Sequence, residues 1–560
     1  MQYFPGSTRW QSWRLEGWTL LVGAIALLLS LPILAVLSSI FTPSGSIWSH
    51  LVSTVLGSYL FNSLALMLGV GCGVIAIGIS TAWLVTMCRF RGSRILEWLL
   101  LLPLAAPAYI LAYVYTELLE YYGPVQTGLR GLFGWSSAAE YWFPPVRSLP
   151  GAILMLTLVL YPYVYLLARV AFLEQSVCTL EASRALGCNP WQSFWRVALP
   201  LARPAIAAGT SLALMETLSD FGTVQFFSVD TFTTGIYRTW FGMGERIAAS
   251  QLAACLMGFI LALILVERWF RRRAKYYQSS SVDQRIPGYA LSGTRSAIAQ
   301  GVCILPILLG FVIPAIRLLQ LTLASWNETF NPRFWSFVQN SLLMAGLTAG
   351  ICGAIALIMA YGLRLHPSWS MMLAVRLAVM GYAIPGSVIA VGTLIPMGQF
   401  DQLINAIMKS TFGISTGLLL SGTIAALIFA YLVRFLAVAF STVEASLDRI
   451  KPNLDEAAHS LGHNTQQTLM RVHVPLMRSG LLTAALLVFV DVMKELPATL
   501  IVRPFDFDTL AIRVYQLASD ERLAEAAAPA LTIVLVGMIP VLTLSWQIRR
   551  GQPALLSENQ

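Results

Sequence analysis

The chain has 560 residues, 57% hydrophobic and only 11% charged, where an ordinary soluble domain carries about 25% charge; a soluble globular protein is excluded. Its seven cysteines are scattered and show no CxxC spacing, which argues against a disulfide framework or a zinc site. The net charge of +9 sits in a few basic loops, and the run Arg271-Arg272-Arg273-Ala274-Lys275 reads as a loop joining two membrane halves rather than as a nucleic-acid contact.

A helix needs roughly 20 apolar residues to cross the hydrocarbon core. Stretches of that kind fall at 17–41, 57–87, 95–117, 149–173, 203–225 and 250–267, then at 298–322, 340–364, 371–397, 415–440, 480–502 and 527–547. The first is too long for a signal-peptide core and ends without a small-residue cleavage pattern, so it is expected to stay as a span. Arg376 interrupts the ninth. Lys and Arg gather in the N-terminal tail, at Arg89–Arg94, around Arg184–Arg203, at Arg268–Lys275, around Arg434–Arg478 and at Arg549 and Arg550, whereas Thr42–Gly57 has none. Basic loops stay on the cytoplasmic side, so both termini are expected there, in a bacterial inner membrane protein.

The two sets of spans resemble each other, the signature of an internal repeat. Asn62-Ser63-Leu64 reappears as Asn340-Ser341-Leu342, Ala82-Trp83 as Ala360-Tyr361, and Pro107 as Pro385. Further on, Glu181-Ala182-Ser183 matches Glu456-Ala457-Ala458, Gly187 matches Gly462, and Leu199-Pro200 matches Val474-Pro475. An even number of spans per half makes the repeats parallel, related by an axis along the membrane normal with a path between them. The expected fold is therefore all-α integral membrane, with about twelve transmembrane helices as two parallel six-helix repeats. The domains are residues 1–270 (core 57–268), a cytoplasmic linker 271–296, and residues 297–560 (core 335–550). The first span of each half reads as peripheral.

Two loops carry the functional signal. Glu181–Pro200 and Glu456–Pro475 each open with a helical stretch, turn at a glycine that can end a helix in the left-handed region, and resume before a proline. One such loop reads as an amphipathic connector; two with Glu, Gly and Pro at the same spacing do not. They resemble the EAA motif of the binding-protein-dependent ABC importer permeases, departing from it at Ser183 and Val474. The resemblance implies the type I ABC importer permease fold, two ABC ATPase subunits and a periplasmic substrate-binding protein as partners. It also implies ATPase-docking roles for Glu181, Ala182, Gly187, Pro200, Glu456, Ala457, Gly462 and Pro475. The sequence has no G-x-x-x-x-G-K-[ST] loop, so the chain is a transport subunit without catalytic residues. ATP and Mg are expected on the partner subunits and no cofactor on this one.

Charges inside the spans mark a candidate translocation path. Glu216 and Asp220 align with Asp491 and Glu495, four apart in each half and so on one helix face; Lys494 follows Asp491 by three. A charge near the bilayer centre costs about 2.5–3.5 kcal/mol, so these side chains are expected to face the interior, either pairing helices together or lining a path that suits a cationic cargo. Glu456-x-x-His459-x-x-x-His463 has metal-like spacing, but its repeat counterparts are Glu181, Arg184 and Cys188, and no metal is expected. Gly69–Gly73 and Gly346–Gly350 are GxxxG patterns expected to allow close helix packing.

The stretches Asp491–Ala511 and Glu216–Val224 are similar to the fused permeases of ferric-iron importers, which implies iron(III) as cargo. Thiamine permeases are fused and similar too, and are the alternative within the class. An ion-gradient transporter would also have about twelve spans but has no use for the two loops, and no catalytic cluster at a membrane edge suggests a membrane enzyme.

Overall fold

The computed structural model describes residues 17–43, 45–173, 187, 189–272, 289–326 and 330–550. They are helical almost throughout, with ten helices long and apolar enough to cross a membrane, or twelve when each of two bent pairs counts as one span. In the first half the principal helices are α1 (Gly17–Phe41), α2 (Leu56–Met87), α3 (Ala108–Leu119), α4 (Leu149–Leu173), α5 (Leu199–Ser219) and α6 (Arg246–Arg272). In the second they are α7 (Gly293–Ala324), α8 (Pro332–Leu365), α9 (Gly386–Phe412), α10 (Ile424–Leu447), α11 (Arg478–Met493) and α12 (Leu523–Arg550).

The duplication is visible in single hydrogen bonds. Asn62 Nδ2 donates to the Asp230 carbonyl at 2.9 Å, and Asn340 Nδ2 donates to the Asp508 carbonyl at 3.0 Å. Each amide ties the second helix of its half to the loop that follows the fifth, satisfying a backbone oxygen that lipid could not.

Four of the twelve predicted spans are broken. The stretch 95–117 is a helix pair, Ser93–Ala105 and Ala108–Phe133, bent by 92°. The stretch 371–397 is the short helix Trp369–Ala378, a tight turn Val379–Ala383, and then α9. Both breaks have one cause. Pro107 and Pro385 disfavour the helical region for the residue before them, and Ala106 and Ile384 are accordingly extended, with ψ of 125° and 122°. The other two predicted spans, 203–225 and 480–502, end early at Ser219 and Met493 and resume as the short helices Gly222–Phe226 and Pro497–Val502.

The first span of each half is not peripheral to the molecule; it lies against the opposite half. In α1 the buried residues Val22, Ala26, Leu29, Pro32 and Val36 recur every three or four positions, one helical stripe. That stripe meets α9, where Gly392 lies so close that an added Cβ would be 2.3 Å from the Pro32 carbonyl oxygen. Leu27, Leu28 and Leu34 on the other faces are at least half exposed, as lipid contact requires. Reciprocally, α7 packs on the first half: Tyr115 donates its hydroxyl to the Leu309 carbonyl at 2.6 Å, and Arg317 pairs with Glu117.

The glycine pairs diverge. Cβ atoms at Gly69 and Gly73 would lie 2.6 Å from Ile153 and Thr157 of α4, so this pair does allow close packing. Gly346 and Gly350 have nothing within 4 Å. When Asn62 is aligned with Asn340, the second pair stands one residue out of register, about 100° round the helix. The face of α8 equivalent to Gly71 and Gly78 carries Ala349 and Ala356 instead, both buried.

The chain between the halves re-enters the described region at Tyr289–Ala290, a short strand pairing in parallel with Cys88–Arg89 just after α2. Leu291 extends the ladder by donating to the Arg89 carbonyl at 2.9 Å.

Candidate translocation cavity and docking loops

The four helix breaks converge on one cavity between the halves, of about 120 Å³, whose wall includes Ala106, Pro107, Asp220, Gly222, Leu496 and Pro497. Irregular backbone at membrane depth is tolerated only where protein or a wet cavity covers it. All five predicted path residues, Glu216, Asp220, Asp491, Lys494 and Glu495, line it. The halves touch at its edge, where an added Cβ on Gly222 would meet Tyr109 at 2.6 Å and Leu496 at 3.0 Å.

The carboxylates do different jobs. Asp220 caps the short helix after it: Oδ1 accepts from the Val224 amide at 3.1 Å and Oδ2 from the Thr223 hydroxyl at 3.0 Å. Its counterpart Glu495 accepts from the Ala498 amide at 3.0 Å and also pairs with Arg434, Nε to Oε2 at 3.2 Å. Asp491 pairs with Lys494 at 2.9 Å. Glu216, at the register of Asp491, has no hydrogen-bond or ion-pair partner among the described residues, because the position of Lys494 is held by Ser219 in its half. Both cations of the wall thus come from the second half and pair there, while through space they also act on Glu216 of the first.

Arg434 corrects the sequence reading. Charge clustering groups it with the cytoplasmic basic residues, yet it sits within α10, 8% exposed and lining the cavity. A lone arginine ten residues inside an apolar run was the available signal, since such a group faces the bundle interior by default. The tyrosines of the wall, Tyr109, Tyr163 and Tyr382, were also missed; Tyr109 lies two residues past the Pro107 break, and its hydroxyl is buried without a partner among the described residues.

Glu181 and Ala182 fall outside the described residues. Gly187 and Gly462 have φ of +83° and +82°, the left-handed conformation that their glycines were expected to supply. Each turn is followed by the same reciprocal cap. The Asn189 amide donates to Gln192 Oε1 at 3.0 Å and the Gln192 amide to Asn189 Oδ1 at 2.8 Å; Asn464 and Gln467 repeat it at 3.1 and 2.8 Å. This capping box has a sequence signal, Asn-x-x-Gln at matched positions, that the repeat comparison above does not include. A five-residue π turn follows in both, Phe194–Ala198 and Leu469–His473, leading into Pro200 and Pro475.

Glu456, Ala457 and Gly462 are exposed, and beside them so are Leu454, Leu461 and Met470; among the described residues of the first loop, Trp191 and Trp195 are exposed. His459 Nδ1 lies 3.1 Å from the His463 carbonyl oxygen across the turn. Behind the exposed face the second loop is held by charge. Asp455 Oδ2 accepts from Arg364 Nη2 at 2.7 Å and Nε at 3.0 Å, Oδ1 lies 2.5 Å from His473 Nε2, and Arg364 also donates to the Leu447 and Ile450 carbonyls. The Tyr361 hydroxyl donates to the Thr465 carbonyl at 3.0 Å. The first loop is held by rings: Trp83, the register partner of Tyr361, packs on Phe172 and Phe194 at 5.5 and 4.9 Å between centroids. Beyond the loops the halves differ again. Trp191–Ser219 runs as one span, while Thr465–Leu476 meets α11 at a 76° bend.

A family model described as binding-protein-dependent transport system inner membrane component matches the chain twice, over residues 74–276 and 353–553. An Fe(3+)-transport system permease protein of Haemophilus influenzae is 27% identical over 489 residues, covering 87% of this chain and 89% of that one. A ferric transport system permease protein of Actinobacillus pleuropneumoniae is 23% identical over 547 residues, covering 92% and 75%. A molybdenum transport system permease protein of Escherichia coli is 30% identical over 203 residues, covering 35% of this chain and 84% of that one.

Proposed function

The chain belongs to the binding-protein-dependent transport system inner membrane components, and from that membership we propose that it is the double-length permease of an ATP-driven importer that passes iron(III) from a periplasmic binding protein to the cytoplasm by alternating access. The observation that carries the reading is the matched glycine turn and Asn–Gln cap in the described part of each loop, each continuing toward the helix, α5 or α11, whose far end bears the cavity carboxylates. A push on the first loop therefore reaches the cavity wall along the span Trp191–Ser219, and a push on the second reaches it through the 76° bend into α11.

Two ATPase subunits, one per loop, account for the duplication. Glu181, Ala182, Gly187, Pro200, Glu456, Ala457, Gly462 and Pro475 form the docking surfaces, and ATP and Mg are held by the ATPases. The loop face is the cytoplasmic one. Trp18, at the start of α1, lies on Tyr361 beside the second loop, which puts the beginning of the described chain on that same face.

Iron(III) as cargo is supported by the likeness to ferric permeases along most of the chain and by the excess of carboxylates over cations on the cavity wall, four against two, which favours a cation. The test is reconstitution of the full chain with its ATPase and candidate binding proteins in proteoliposomes. An iron-loaded binding protein should stimulate ATP hydrolysis and iron uptake, and a thiamine-loaded one should not; the reverse result would overturn the cargo assignment.

A further inference from the structure

The sequence register pairs Trp83 with Tyr361, and in the structure each of them is the aromatic anchor of its own half's docking loop. Trp83 packs on Phe194 in the π turn of the first loop at 4.9 Å. Tyr361 hydrogen-bonds the second loop at Thr465 and meets His473 edge-on at 5.3 Å. Each anchor also touches one aromatic ring from the other half. Trp18, one residue into α1 of the first half, stands T-shaped on Tyr361 at 5.8 Å and 79°. Tyr289, in the strand that leads into the second half, lies over Trp83 at 6.4 Å and 36°.

These two rings stand on rigid supports. Trp18 is held where α1 crosses α8: an added Cβ on Gly362, the residue after Tyr361, would meet Val22 at 3.3 Å and Trp18 at 3.7 Å. Tyr289 is held by the parallel pairing of Tyr289–Ala290 with Cys88–Arg89, and Gln300 of α7 fastens the same edge by donating to the Arg91 carbonyl at 3.0 Å. Each support then runs into its own half. The chain passes from α1 to α2, and from α7 to α8, the long helices that carry Trp83 and Tyr361. Displacing the second loop therefore pushes on a helix that belongs to the first half, and displacing the first loop pushes on the lead-in to the second.

We infer that Trp18 and Tyr289 are positioning residues that form a reciprocal latch, passing the movement of each docking loop to the opposite half so that both loops move together. The two loops are held locally in different ways, one by an Asp455–Arg364–His473 cluster and one by aromatic packing. Unequal local springs driven by two ATPases would otherwise open the cavity unevenly. Two elements that each bias the other's equilibrium supply a coupling free energy, and that coupling is reciprocal.

The inference rests on the docking reading above, and the experiment separates the two. The full chain, its ATPase subunits and an iron-loaded binding protein are reconstituted with Trp18→Ala, Tyr289→Ala or both, and ATP hydrolysis and uptake are measured in the same vesicles. The ATPase should still co-purify and hydrolyse ATP within about twofold of the parent, while substrate moved per ATP falls several-fold, the double variant resembling either single one. Trp18→Phe and Tyr289→Phe should restore the ratio. If uptake and hydrolysis fall together, in proportion to assembled complex, the rings are structural only and the latch is refuted; an unchanged ratio refutes it as well. Loss of ATPase co-purification in Gly187→Arg with Gly462→Arg tests the docking reading itself. Should the alanine variants not assemble, Trp18→Cys with Tyr361→Cys gives a second readout. Reduced, this variant lacks the ring contact and should move less substrate per ATP; a disulfide between the two positions should restore the ratio, and failure of the cross-linked form to recover it would overturn the proposal.

Discussion

Arg434 and Glu495 pair at 3.2 Å within the second half's wall of the cavity, and an added Cβ on Gly386 would fall 2.5 Å from the glutamate and 2.6 Å from the arginine. The pair thus needs three residues from three segments: a cation from α10, a carboxylate from the break after α11, and a glycine at the start of α9. Removing one partner of a buried pair strands the other and costs about 3–5 kcal/mol. Glu495→Ala should therefore lower the yield and melting temperature of the purified chain, and Arg434→Met with Glu495→Leu should recover much of both. The check is thermal unfolding in detergent; a single variant as stable as the parent would contradict the structural role of the pair.

Glycine substitutions should sort by what surrounds them. Gly386→Ala pushes a methyl into the ion pair, and Gly73→Ala pushes one to 2.6 Å from Thr157. Overpacking of this kind costs about 1–3 kcal/mol. Gly346→Ala and Gly350→Ala meet nothing within 4 Å, and replacing a mid-helix glycine with alanine gains about 0.5–1 kcal/mol. The expected order of melting temperatures is Gly346→Ala and Gly350→Ala at or above the parent, with Gly73→Ala and Gly386→Ala below it.

Glu216 should separate function from assembly. It lines the cavity without a hydrogen bond or close ion pair among the described residues and feels Arg434 and Lys494 only through space, so Glu216→Gln removes a charge while breaking no direct contact. Folding and ATPase association should be unchanged and iron uptake should fall by about tenfold, a loss of roughly 1.4 kcal/mol of favourable interaction with a cation in passage. Uptake at the parental rate would remove Glu216 from the path.

What the sequence made legible follows from where the physics is local. The duplication, the loop glycines and the intramembrane carboxylates were readable because periodicity, a left-handed turn and a charge in an apolar run each leave a mark within a few residues. Pro107 and Pro385 were read as a repeat marker but not as breaks. Helix length and apolarity alone made each stretch a single span, and only the cavity shows why extended backbone is tolerated there. Arg434 carries a legible sign in its depth, ten residues into an apolar run, but its partner Glu495 is distant in sequence and leaves no local mark. The Gly346–Gly350 pattern misled because a one-residue shift leaves the spacing intact and rotates the face. Placement of α1 on the opposite half was not legible at all, since a helix that is apolar on every side carries no sign of which neighbour it meets.

Asp455 offers the last test, because its carboxylate joins the helix Asn453–Ser460 of the second loop to the end of α8 through Arg364 and to the π turn through His473. His473 is fully buried, and only one of its ring nitrogens has a partner among the described residues; removing Asp455 leaves the imidazole with neither. An unsatisfied buried polar group costs about 1–3 kcal/mol, whereas Arg364 retains the Leu447 and Ile450 carbonyls. Asp455→Ala should therefore loosen the second loop without unfolding the membrane helices. ATPase co-purification should weaken, uptake should fall further than the modest drop in melting temperature, and the defect should be absent from the first loop, which has no such cluster among its described residues. A double-mutant cycle with Arg364→Ala should return an interaction of about 0.5–3 kcal/mol in ATPase affinity. Strict additivity would mean that the cluster holds the loop's shape but takes no part in presenting it to the ATPase.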